Sequence, residues 1–124
     1  MVNALNWFEI PTVDIDRAAA FYGAIFDAEI VAFEMYPGFK MAMLPYEQGK
    51  GVGGAIVHGE GYTPSTEGSI VYLNGGADLS VVLDRIAPAG GTVTVPKSLI
   101  SDDNGYMAFF IDTEGNRVGL HSNG

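Results

Sequence analysis

Glu9 sits inside an otherwise apolar run, Trp7-Phe8-Glu9-Ile10, where a carboxylate is costly to bury without a partner. Such a group suits a general base, or an anchor for a ligand, in an apolar cup. Its plainer reading is a solvent-facing residue at an open cavity, or one paired with Arg117. His121 is one of only two histidines and lies three residues before the last. It has the chemistry of a general acid/base or a metal ligand, against the plainer reading of a frayed terminal residue. His58, beside Gly59, reads as a surface residue. Glu9, His58 and His121 would make a surrogate metal site only if all three side chains converged. Trp7, the only tryptophan, offers a stacking platform for a planar ligand, or simply core. Gly51, Gly53 and Gly54 lack the Lys-Ser/Thr pattern and helix start of a phosphate loop, and read as a bulged or closely packed strand.

These residues need elements to position them. Leu5 to Pro11 reads as a strand, and Asp14 as the N-cap of a helix with Ile15, Ala18, Ala19, Tyr22 and Ile25 on one apolar stripe. Glu29 to Glu34, Phe39 to Leu44 and Gly53 to Val57 read as strands. Breaker-rich Gly59 to Gly68 is a linker, in which Tyr62-Thr63-Pro64-Ser65 reads as passive chain or as a lid. Ser69 to Asn74 is the next strand, followed by a helix capped by Asp78 that presents Leu79, Val82, Leu83 and Ile86 inward. Pro88 and Gly90-Gly91 end it. Strands follow over Thr92 to Val95, Tyr106 to Ile111 and Arg117 to Ser122, the last two joined by the turn Asp112 to Asn116.

The second half repeats the first. Trp7 to Ile15 and Val71 to Leu79 share one layout, 64 positions apart. A half-domain that cannot bury its own apolar face is expected to pair with its copy and leave a cavity at the seam. The expectation is one domain over residues 1–124, with modules at about 1–60 and 66–124, and an α+β fold of two βαβββ modules.

At 48 % apolar and 17 % charged residues, the chain has ample material for a core. Its net charge is −9 and its six basic residues are scattered, so nucleic acid and anionic membranes are not expected partners. Cysteine is absent, which removes disulfides and thiol nucleophiles. Without an apolar run of membrane length or a leader, a soluble cytoplasmic protein is the expectation.

The β-α-β-β-β order, the run Asp14-Ile15-Asp16-Arg17-Ala18-Ala19-Ala20-Phe21-Tyr22, the Leu83–Gly91 helix end and the ending Phe110 to Leu120 carry a family likeness. They resemble the glyoxalase / bleomycin-resistance / extradiol-dioxygenase superfamily, also called vicinal oxygen chelate proteins. The resemblance implies a cupped mixed sheet with helices on the convex side, and a homodimer. Its metal-dependent members carry four His or Glu ligands, on the first and last strand of each module. Mapped by distance from the helix caps, those positions hold Trp7, Val71, a residue near Gly54, and Gly119. None can ligate a metal through its side chain, so neither metal nor cofactor is expected.

If Trp7 and Gly119 face the cavity, strand alternation brings Glu9 and His121 with them. The same logic puts Ile56 with Gly54, and Leu73 with Val71. The expected ligand-binding set is therefore Trp7, Glu9, Gly54, Ile56, Val71, Leu73, Gly119 and His121. The expected function is binding of an apolar or planar small molecule. The alternative is a metal-independent lyase or isomerase with Glu9 as base and His121 as partner. Glyoxalase I activity is not expected, because that chemistry leans on a metal to stabilise an enediolate.

Overall fold

In the computed structural model, which describes residues 3–124, the Asp14 carboxylate accepts from the backbone N–H groups of Asp16 and Arg17, both at 3.1 Å. That cap fixes the start of helix α1 (Ile15–Phe26), and Asp27 ends it in the left-handed conformation, at φ 50°. Ile15, Ala18, Ala19, Phe21, Tyr22 and Ile25 are buried along the helix. The chain divides into two units between Pro64 and Ser65.

The first unit holds β1 (Trp7–Pro11), α1, β2 (Ala32–Tyr36), β3 (Phe39–Met43) and β4 (Gly53–His58). Its sheet order is β1-β4-β3-β2, with β1 parallel to β4 and the other pairs antiparallel. Trp7 pairs with Gly53, Phe8 with Gly54, Glu9 with Ala55 and Ile10 with Ile56. Directly paired residues share a face. One face therefore carries Phe8, Ile10, Ala42, Gly54 and Ile56, and the other Trp7, Glu9, Met41, Met43, Ala55 and Val57. Phe39, Met41, Ala55 and Val57, with Met43 packed against them, form a buried cluster on the second face. Helix α1 packs over β2, β3 and β4 and takes the first.

The second unit repeats the order with β5 (Tyr72–Asn74), α2 (Ser80–Ala89), β6 (Thr92–Ser101), β7 (Gly105–Ile111) and β8 (Arg117–Ser122). Its sheet runs β5-β8-β7-β6, again with only the β5–β8 pair parallel. Leu73, Ala108, Phe110, Val118 and Leu120 are buried together with Leu79, Val82 and Ile86. The turn before β8 is built on Asp112, which is buried. Its Oδ1 accepts from the N–H groups of Glu114 and Asn116, and its Oδ2 from the Asn116 side-chain amide, each at 2.9 Å. The fold is thus α+β, with two βαβββ modules, each a four-stranded mixed sheet.

Several element boundaries differ from the sequence reading. β2 begins at Ala32 rather than Glu29, and β5 at Tyr72 rather than Ser69. β6 runs through Pro96 to Ser101, because it is a sheet edge and its pairing shifts between Val95 and Ser98, so the missing N–H costs no regular ladder bond. Pro88 lies inside α2, and Gly90, at φ 105°, ends the helix. The N-cap of α2 is Leu79, not Asp78. Asp78 instead accepts from the Ser80 N–H and from Lys97 Nζ, both at 2.9 Å. No helix among the described residues is long and apolar enough to cross a membrane.

Candidate functional site

On the face of the first sheet away from α1, the Trp7 ring lies against Gly53. A Cβ on that glycine would meet Trp7 Cζ3 at 3.2 Å and Tyr46 Cδ2 at 3.1 Å, so the missing side chain is what seats the indole. Trp7 stays 40 % exposed, and its Nε1–H points to Glu9 Oε2 at 3.3 Å. Glu9 follows on the same face, two residues along the strand, and is half-buried.

Tyr62 arrives from the segment between the sheets. Its hydroxyl donates to Glu9, and the neighbouring negative charge, with some desolvation, raises the phenol above its ordinary 10.0. The Tyr62 ring leans on Phe39 at 5.4 Å between centroids, and Tyr36 stacks on the same Phe39 at 5.1 Å. Buried Phe39 is thus the floor under two exposed tyrosines, continuous with Met41 and Met43. The result is a carboxylate with two neutral donors beside it, bordered by exposed aromatic rings over an apolar floor. Such a surface can stack a planar body and hold one polar group.

Two of the expected ligand-binding residues of this unit lie elsewhere. Gly54 pairs with Phe8, whose ring occupies the space a Cβ would take, and Ile56 is fully buried beside Ile10. Both belong to the helix side, one residue out of step with Trp7 and Glu9. His58 shares their face, with Nδ1 at 3.1 Å from the Thr12 carbonyl oxygen. The surrogate site of Glu9, His58 and His121 does not form, because Glu9 and His58 point to opposite faces of one sheet. Among the described residues, no three His, Cys, Asp or Glu side chains converge.

In the second unit, Gly119 pairs with Tyr72, not Val71. A Cβ on Gly119 would stand 2.6 Å from Tyr72 Cδ2. Leu73 is buried on the opposite face with Leu120, and Val71 meets Gly119 through its carbonyl oxygen, 2.9 Å from the Gly119 N–H. His121 shares the face of Tyr72, Asn74 and Gly119. Its Nε2 is 2.7 Å from the Asn104 carbonyl oxygen. A carbonyl only accepts, so Nε2 is the donor of this hydrogen bond. Tyr72, Asn74 and His121 border a shallow recess of about 390 Å³. Arg117 lies over the Phe109 ring, 4.7 Å from its centroid.

The two units therefore repeat one device: an aromatic residue on the first strand over a glycine on the last, Trp7 on Gly53 and Tyr72 on Gly119. Trp7 and Gly119 are two of the positions where the family likeness implies metal ligands, and in the structure Gly53 and Tyr72 stand where the sequence reading had put a residue near Gly54 and Val71. An indole N–H is a donor only, and glycine has no side chain. The residues present do not fit a metal site built from His and Glu on both strands of each module.

Two mixed-sheet βαβββ modules in one chain define a class of proteins built by duplication of a half-domain. The model of the Glyoxalase/Bleomycin resistance protein/Dioxygenase superfamily matches residues 4–120. The chain belongs to that superfamily. Among solved structures, a glyoxalase I variant from Zea mays superposes with TM-score 0.69 at 18 % identity, over 96 % of this chain and 46 % of that one. The present chain thus spans about half the length of the maize enzyme. A glyoxalase/bleomycin resistance protein/dioxygenase family enzyme from Burkholderia phytofirmans PsJN matches at TM-score 0.67 and 18 % identity, over 94 % and 96 % of the two chains. The corresponding domain from Frankia sp. EAN1pec matches at 0.69 and 17 %, over 98 % of both. At these identities the likeness is one of fold. No curated protein matches the chain.

Sequence reasoning named Trp7 and Glu9, read Tyr62 only as part of a passive linker or a lid, and did not single out Tyr36 and Phe39 as neighbours of this face. Tyr62 stands in a breaker-rich stretch and Tyr36 before a Pro-Gly turn, so neither carries a periodic signal.

Proposed function

We propose that this protein binds a small apolar or planar molecule on the aromatic face of its first unit, over Trp7 and beside Glu9. The observation that carries the reading is the pose of Trp7. A tryptophan built as core would be covered, whereas this ring is 40 % exposed and held in place by Gly53 and Glu9. An exposed, fixed ring over a buried apolar floor supports stacking. Glyoxalase I chemistry is not part of the proposal, because the paired first- and last-strand residues Trp7, Gly53, Tyr72 and Gly119 offer no carboxylate or imidazole.

Trp7 is the only tryptophan, so its fluorescence reports on this face alone. Titration with a panel of planar compounds is expected to shift or quench that emission saturably for at least one scaffold. The same compound should lose affinity for Trp7→Leu protein, measured by calorimetry. An emission unchanged by the whole panel, or calorimetric binding indifferent to Trp7→Leu, contradicts the reading.

We also propose that the chain pairs as a homodimer. Support comes from β2, a sheet edge with Phe33, Met35 and Tyr36 exposed. Sedimentation equilibrium showing only monomer at high concentration would refute it.

A further inference from the structure

We propose that the ligand of the Trp7–Glu9–Tyr62 face is an organic cation, an ammonium or amidinium carried on an apolar or aromatic body. This rests on the binding reading above and names the charge class that the reading leaves open.

Glu9 is the only acidic residue that the register places on the Trp7 face of β1 and β4. Its two partners, the Trp7 indole and the Tyr62 phenol, are neutral donors. A carboxylate offers about four lone-pair positions, so two donors leave it able to accept more. The positive charges of the first unit are placed elsewhere. Lys40 pairs with His58 on the reverse face, Lys50 bridges Glu47 at 3.3 Å, and Arg17 belongs to the first turn of α1. Among the described residues, no basic side chain of its own unit stands beside the carboxylate.

The rings around it suit the same ligand. Trp7, Tyr62 and Tyr36 expose aromatic surface, and such faces attract a cation through the ring quadrupole, most strongly for tryptophan. Phe39, Met41 and Met43 continue as an apolar floor for the ligand's body. The wider field agrees. The first 64 residues carry eight acids against three bases, a balance that concentrates cations and repels anions. A neutral ligand would gain at most a hydrogen bond from Glu9, and an anionic one would be opposed by it.

The test compares three probes of one size class by Trp7 fluorescence: phenyltrimethylammonium, its neutral isostere tert-butylbenzene, and benzoate. The cation is expected to bind at least about fivefold tighter than the isostere, with benzoate weakest. Glu9→Gln should bring cation and isostere to within about twofold of each other. In the unmutated protein, raising salt from about 0.01 M to about 1 M shortens the screening length from about 30 Å to about 3 Å and should weaken the cation selectively. That measurement does not depend on the variant folding. An isostere that matches the cation, or a cation preference indifferent to both salt and Glu9→Gln, overturns the charge class while the binding reading stands. No response of Trp7 to any of the three probes sinks both.

Discussion

The Tyr62 hydroxyl is hydrogen-bonded to the Glu9 carboxylate, which joins the segment after β4 to the middle of β1. The negative charge beside it holds Tyr62 above its ordinary 10.0. Ultraviolet titration should therefore show one tyrosine ionising later than the rest, and Tyr62→Phe should remove that late step. Glu9→Gln should bring it back towards 10.0. A folded-state value raised in this way contributes stability below pH 10 that is lost as pH rises through the raised value. The chain should then lose stability in alkali more steeply with Glu9 present than with Gln.

Asp78 shows the opposite sign. The Lys97 ammonium and the Ser80 N–H lower its carboxyl from 3.8 to about 2. The stabilisation is present above pH 3.8 and disappears as pH falls through about 2. Lys97 also lies over the Tyr106 ring, 4.3 Å from its centroid. Lys97→Gln should raise the Asp78 value towards 3.8 in a carbon-detected NMR titration. An unmoved value would show that Ser80 alone sets it.

Asp112 organises the turn before β8 through three hydrogen bonds to Glu114 and Asn116, and Asn116 Oδ1 in turn accepts from the Ser65 N–H at 3.2 Å. Asp112→Ala leaves buried donors unsatisfied and should cost about 3 kcal/mol. Urea unfolding should show a lower midpoint with an unchanged slope. A midpoint equal to that of the parent would mean the turn is held by its backbone alone.

Gly53 and Gly54 are adjacent but should respond differently to alanine. At Gly54 the added methyl enters the Phe8 ring on the helix side, an overpacking expected to cost about 1–3 kcal/mol. At Gly53 it meets Trp7 and Tyr46 on the opposite face. Gly53→Ala should displace the indole and change Trp7 emission, where Gly54→Ala should change stability and leave the emission alone. A reversal of the two effects would mean that the faces are assigned the wrong way round.

Much of the fold was legible because its signals are local. Asp14 and the stripe from Ile15 to Ile25 define α1, and Asp112 to Asn116 spells its turn in side chains that bond their own backbone. The placement of the site was legible only in part. Trp7 followed from the family mapping and Glu9 from strand alternation, but Gly54, Ile56, Val71 and Leu73 were taken one residue out of step. In the second unit the cause is Asp78, which resembles an N-cap although the helix starts one residue later. Tyr72 stands as far before Ser80 as Trp7 before Ile15, so the true counterpart of Trp7 is Tyr72. Tyr36 ends β2 and Tyr62 stands in a connecting segment, and only the folded chain brings both to Phe39 and Tyr62 to Glu9.

The central claim is that a ligand sits over Trp7, beside Glu9. The most direct measurement is an NMR titration with phenyltrimethylammonium, read at the single tryptophan indole N–H in proton–nitrogen spectra and at the Met41 and Met43 methyl groups in proton–carbon spectra. The account expects saturable shifts at the indole and those methyls. An unmoved indole, or shifts confined to the second unit, would contradict it.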